Sequence, residues 1–108
     1  MEEPKPFPKI KDYDLKRRIK ECLNAGRWNI HPHAQNRSKE RSVLVKDIRD
    51  ALLNGTSGKP LWKPNAKPPK CYWYKTSKTV DDTVLKIVFY FLEVDKEPFM
   101  VVYTVCRN

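Results

Sequence analysis

A chain of 108 residues with 22 Lys and Arg against 13 Asp and Glu has a formal net charge of +9. This length suits one domain with a buried core, and no stretch approaches the roughly 18 apolar residues of a transmembrane helix. A balance this basic favours a polyanionic partner, which can be nucleic acid, an acidic protein or an anionic membrane surface, although charge can also serve only solubility.

The N-terminus and the cysteines favour a cytoplasmic protein. Residues 1–8 lack the apolar core of a secretory signal. The three cysteines are odd in number and show no C-x-x-C spacing, which argues against a disulfide framework and against a zinc cluster. We therefore expect reduced thiols, no metal, no cofactor and no membrane partner; the cysteines are Cys22, Cys71 and Cys106.

The chain divides into a tail and one domain. Residues 1–11 are predicted to be a flexible, proline-rich tail, either mobile or extended on the body, because Pro4, Pro6 and Pro8 deny it a helix or a central strand. Residues 12–108 are predicted to form a single α+β domain of the RelE-like kind described below.

Helices are predicted in the first half of this domain. Asp12 or Asp14 can cap an amphipathic helix that stops at Gly26, with an apolar stripe at Leu15, Ile19, Cys22 and Leu23. Because a residue before proline avoids helical geometry, the next helix starts at or after Pro32 and spans about 33–41. A third helix over about 44–54 is ended by Asn54-Gly55.

The composition then changes, and strands are predicted. Residues 51–80 contain no acidic residue; their first half indicates an irregular loop and residues 71–75 a strand. Residues 83–94 are apolar on both sides, apart from Lys86, as in a central strand. A turn over 95–98 leads to an antiparallel strand over 99–105. The prediction is α+β, with N-terminal helices packed on one face of a small antiparallel β-sheet.

The strongest functional pattern is a basic stripe. His33, Arg37 and Arg41 follow one another at intervals of four, so they share one face of the second helix. Metal-free RNA cleavage needs a base, an acid and cations for the phosphorane, and histidine and arginine suit these tasks. The alternative is structural: His33 can cap or pack at the helix start, and the arginines can form a solvated face.

Sheet residues could complete such a site, although their orientation depends on tertiary structure. The candidates near strand ends or on strands are Lys75, Tyr74, Tyr103, Thr104 and Arg107. His31 and His33 also form a conceivable metal pair, but no third ligand has suitable spacing.

The lysine-rich segment between the helices and the strands resembles a single-strand binding surface, with cations for phosphates and rings for bases. The alternative is that the rings belong to the core, and alternation requires at least half of those in 71–75 to face inward. The candidate nucleic-acid-binding residues are Lys59, Lys63, Lys67, Lys70, Lys78 and Arg107.

Several of these residues together resemble an uncharacterised bacterial family. The pattern is Trp28-x-Ile30-x-x-His33-Ala34-x-x-Arg37-x-x-x-Arg41-x-Val43, followed by Asp47-Ile48 and Leu53-Asn54-Gly55. This His-Ala-x-x-Arg family is similar in fold to the RelE, MqsR and BrnT toxins, which are small basic ribonucleases of toxin–antitoxin modules. The resemblance covers about residues 13–105; Ser42 stands where the family usually has glycine.

The resemblance implies a metal-independent endoribonuclease that acts on RNA and is held by an acidic antitoxin. In that reading His33 is the general base or acid, Arg37, Arg41 and Lys75 stabilise the phosphate, and Tyr103 or Thr104 assists. The alternative is a non-catalytic nucleic-acid-binding or protein-interaction module on the same fold.

Overall fold

A computed structural model describes residues 5–6, 12–40, 43–63, 65, 70–78 and 83–107. These residues form three helices, α1 (Asp12–Asn24), α2 (Pro32–Glu40) and α3 (Val45–Asn54). They also form seven strands, which are β1 (Lys5–Pro6), β2 (Trp28–Ile30), β3 (Thr56–Ser57), β4 (Leu61–Lys63), β5 (Lys70–Lys78), β6 (Val84–Val94) and β7 (Glu97–Arg107). The fold is α+β, as the sequence predicts.

The sheet is mixed rather than wholly antiparallel. Strands β5, β6 and β7 form the predicted antiparallel meander, with β6 in the centre. Strand β2 lies parallel to β7, so the prediction of an antiparallel sheet is wrong at this edge. Since both helices α2 and α3 and most of the sheet separate β2 from β7 along the chain, no short turn fixes their relative direction.

Short strands extend the meander. Strand β1 pairs with β6 at Leu92 and Glu93, beyond the point where β5 leaves it. Strands β3 and β4 both pair antiparallel with β5, at opposite ends of that strand.

Helices α1 and α3 contact each other and cover one face of the meander. Their apolar stripes are buried against the side chains of β6 and β7 that point the same way, as alternation along a strand requires. The core of this layer consists of Leu15, Ile19, Leu23, Ile48, Leu52, Leu85, Ile87, Phe89, Met100, Val102 and Val105. The apolar stripe predicted for α1 is thereby confirmed. On α3, Ile48 and Leu52 are buried, but Val45, one turn earlier, is exposed.

Two chain reversals depend on special backbone positions. Gly26, after α1, has a φ of +68°, the left-handed geometry expected at a helix end. Asp95 and Lys96 have φ values of 53° and 67° and form a two-residue hairpin turn, shorter than the predicted one because β7 begins at Glu97.

Glycine is required at position 55 because a side chain would not fit there, and not because of its φ. A Cβ there would clash with the carbonyl oxygen of Ala51 and lie 2.8 Å from that of Thr76. The end of α3 therefore packs directly on the backbone of β5.

The guanidinium of Arg27 ties the start of β2 to the β6–β7 hairpin. It donates hydrogen bonds to the carbonyl oxygens of Val94 (2.7 Å), Pro98 (3.1 Å) and Glu97 (3.2 Å). It also forms an ion pair of 3.3 Å with the Glu97 carboxylate.

Replacing Arg27 with Met removes the donor for these three carbonyl groups. We expect the free energy of unfolding, measured by urea denaturation, to fall by about 2–3 kcal/mol. The matched control is Arg17→Met, which breaks only an exposed ion pair with Asp14 and should cost less than about 0.5 kcal/mol. Equal losses in both variants would contradict the anchoring role of Arg27.

Candidate nucleic-acid interface

The face of the sheet opposite α1 and α3 carries a groove between aromatic side chains. Alternation along β5 turns Trp73 into the core and Tyr72 and Tyr74 towards this open face. The groove has a volume of about 500 Å³. We call it the tyrosine groove; it is lined by Leu61, Lys63, Asn65, Tyr72, Tyr74, Val88, Tyr103 and Thr104.

A β-bulge in β7 places two consecutive residues in this groove. Val88 pairs with Thr104, but the next residue of β6, Phe89, pairs with Val102, so Tyr103 has no partner in the register. In a regular strand, Tyr103 and Thr104 would point to opposite faces. The bulge instead allows both to line the groove, which fits the frequent occurrence of bulges beside functional sites.

Tyr103 links the tyrosine groove to both histidines. Its ring centroid lies 5.5 Å from that of His31 and 6.0 Å from that of His33. On its other side it lies 5.5 Å from Tyr72 and 6.1 Å from Tyr90. One side chain therefore contacts the groove and the imidazoles together.

The two histidines have different local roles. The backbone N–H of His31 donates to the Val102 carbonyl oxygen (2.8 Å), which continues the pairing of β2 with β7. The Nδ1 of His31 accepts a hydrogen bond from the backbone N–H of His33 (3.1 Å) and so caps α2. The residue that caps α2 is therefore His31 and not His33. His33 is exposed and lies beside Tyr103.

The geometry of α2 determines where the next residue of the basic stripe lies. Arg37 lies on α2 four positions after His33, so the backbone places both on one side of the helix. Arg41 lies outside the described residues. Among the described candidates, His33 thus contacts Tyr103, and Tyr74 and Thr104 line the same groove as Tyr103.

Lys75 is not part of this group. It pairs across the sheet with Ile87, whose side chain is fully buried, so it faces the helices rather than the tyrosine groove. Its Nζ donates to the Ser57 hydroxyl oxygen (2.8 Å) and to the Gly55 carbonyl oxygen (3.4 Å). Burial, with a smaller contribution from the charge of Lys16, lowers the pKa of Lys75. Lys75 therefore lies on the other face of the sheet from Tyr103 and Thr104, which line the tyrosine groove.

The predicted nucleic-acid-binding cations that the structure describes lie on different elements of the fold. Lys63 lines the tyrosine groove, and Lys59 is exposed just before β4. Lys78 pairs with Val84 on the open side, whereas Arg107 pairs with Leu85 on the core side. Lys70 lies at the start of β5, and Lys67 is outside the described residues.

Sequence reasoning missed Lys86 as a site residue. Its Nζ lies 4.7 Å from the centre of the Tyr74 ring, a cation–π contact on the open face. The signal was available, because Lys86 interrupts an otherwise apolar alternation in β6.

Two tyrosines of this face have raised pKa values. Burial, followed by the neighbouring tyrosines, raises the pKa of both Tyr72 and Tyr90. Among the described residues that line the groove, none carries a carboxylate. The described lining therefore offers aromatic rings and the cation of Lys63.

The described residues contain no group of three or more His, Cys, Asp or Glu side chains that could bind a metal ion. No helix among them is both long and apolar enough to span a membrane.

Comparison of the chain with models of protein families, with curated proteins and with solved structures found no match in any of the three.

The two histidines should differ in their effect on stability. His31→Ala removes the cap of α2, and we expect the free energy of unfolding to fall by about 1 kcal/mol. His33→Ala changes an exposed side chain and should stay within about 0.5 kcal/mol of the wild type. Urea denaturation measures the free energy of unfolding of both variants. A larger loss of stability in His33→Ala than in His31→Ala would contradict the capping role of His31.

Lys75 should give the protein a distinctive pH dependence. Because its pKa is lowered in the folded state, the unfolded chain binds more protons between that pKa and the ordinary value of 10.5. Relative to Lys75→Met, the wild type should therefore gain stability as pH rises towards 10.5. Denaturation from pH 7 to 10 tests this, with Lys20→Met on the exposed side of α1 as the control that should show no such trend.

Proposed function

We propose that this protein is a RelE-like, metal-independent endoribonuclease that holds single-stranded RNA along the tyrosine groove and cuts it beside His33. The observation that carries the proposal is the contact of His33 with Tyr103, at the end of an aromatic groove bordered by Lys63 and Lys86. The net charge of +9 suits a polyanionic substrate.

The residues suit the three tasks of RNA cleavage. In the proposed reaction the 2′-oxygen of the substrate attacks phosphorus, and the bond from phosphorus to the 5′-oxygen breaks. His33 takes the proton of the 2′-hydroxyl or supplies one to the departing 5′-oxygen, and solvent water takes part in the other proton transfer. Arg37 and Arg41 stabilise the negative phosphorane, and the Tyr103 hydroxyl donates a hydrogen bond to it.

This chemistry fixes the products. They are a 2′,3′-cyclic phosphate and a 5′-hydroxyl end, because the nucleophile belongs to the RNA and no water is added. A substrate with 2′-deoxyribose at the cleaved position has no nucleophile and should remain intact. Neither a metal nor a cofactor is needed.

The proposal extends to a biological setting. The family resemblance and the basic charge support a toxin of a toxin–antitoxin pair, active in the cytoplasm and neutralised by an acidic antitoxin that covers the basic surface.

A second candidate is a non-catalytic module on the same fold that binds nucleic acid or an acidic protein. The position of Lys75 favours it, since this cation lies on the opposite face of the sheet from His33 and cannot assist there. Such a module would bind through the exposed lysines and would not depend on His33.

Cleavage of a mixed RNA by the purified protein in excess EDTA tests the proposal. We expect the wild type to cut and His33→Ala to be at least about 100-fold slower, because a general acid or base contributes that much. Lys20→Ala, on α1, is the matched control and should cut at the wild-type rate. The products should carry the cyclic phosphate, and DNA should not be cut.

Two results would contradict the ribonuclease. Undiminished cutting by His33→Ala would remove this residue from the mechanism. RNA binding that weakens with salt, without cleavage by any variant, would favour the binding module.

A further inference from the structure

We infer that the tyrosine groove is a subsite for one unpaired nucleobase, adjacent to the phosphate that His33 addresses. The position next to a cut phosphate rests on the proposed function, whereas base binding itself does not require cleavage. The observation is the shared contact of Tyr103 with the histidines and with Tyr72 of the groove.

The groove has the size of a small-ligand site. Its volume of about 500 Å³ lies within the range of sites for small organic molecules. The rings of Tyr72 and Tyr90 meet edge to face, at 83°, and those of Tyr72 and Tyr103 are tilted by 58°. Neither pair is stacked face to face, and Tyr72 and Tyr103 both line the groove.

The side chains that line the groove suit a nucleobase that is attached to a negatively charged backbone. Rings of tyrosine stack with any base, because every base has a π-face. Asn65 and Thr104 supply an amide and a hydroxyl for hydrogen bonds to a base edge. Lys63 on the groove wall and Lys86 on the neighbouring ring supply charge for phosphates. No described residue of the lining repels an anion.

This subsite has a consequence for the RNA. A base inside a double helix is stacked on its neighbours and paired, and it cannot lie between protein rings. The strand must therefore be unpaired at this nucleotide, and base pairing there should block both binding and cutting.

Abasic substitution tests the subsite with the wild-type protein. The probe is a short single-stranded RNA with uniform 2′-O-methyl groups, which removes the nucleophile, and with one base deleted at each position in turn. Binding is measured by fluorescence anisotropy at fixed salt. We expect one position, or two adjacent ones, to lose at least about fivefold in affinity and the others less than about twofold. Equal effects at all positions, or no RNA binding, would overturn the subsite.

A pair of variants tests the stacking partner. Tyr72→Phe keeps the ring and should bind within about twofold of the wild type, whereas Tyr72→Leu should lose about fivefold or more. Urea denaturation shows whether each variant is folded. If Tyr72→Leu is unfolded, Tyr74→Leu against Tyr74→Phe is the same comparison on a neighbouring ring of the groove. Wild-type affinity in the folded Leu variant would overturn the subsite.

The subsite and the ribonuclease can fail separately. Position-dependent loss of binding, without cleavage of unmodified RNA, supports the subsite and contradicts the enzyme. Cleavage that depends on His33 but not on any single base supports the enzyme and overturns the subsite.

Discussion

Burial of α1 and α3 against one face of the β5–β6–β7 meander is the interaction on which the rest of the structure depends. It removes the side chains of Ile19, Ile48, Ile87 and Phe89 from water, and this burial is the main favourable contribution to folding. Because side chains alternate along each strand, covering one face also determines which residues are left on the other. Tyr72 and Tyr74 lie on the open face for this reason.

The open face acquires its chemistry from a break in that alternation. The bulge at Tyr103 gives β7 one extra residue relative to β6 and turns Tyr103 and Thr104 towards the same groove. Nearby, the parallel pairing of β2 with β7 brings the chain to His31, whose side chain starts α2. Tyr103 and the histidines therefore meet because a bulge and a helix start lie at the same end of the sheet.

The buried ammonium of Lys75 shows how strongly the core constrains polar groups. Removing a cation from water is costly unless hydrogen bonds replace its hydration, and Ser57 and Gly55 provide them. Lys75 thus joins β5 to the segment after α3, where Gly55 already lies close to the backbone of β5. Lysine is a residue type that is expected at a phosphate-binding site. Lys75 instead stabilises the contact between β5 and the segment that follows α3.

The sequence by itself determined the α+β class, the three helices and the meander, because apolar periodicity over many residues records which side of each element is buried. It also predicted the helix that carries His33. Only the tertiary structure decided the parallel direction of β2, the bulge at Tyr103 and the removal of Lys75 from the open face. These features depend on strand register and on contacts between residues far apart in the chain, which local spacing does not encode.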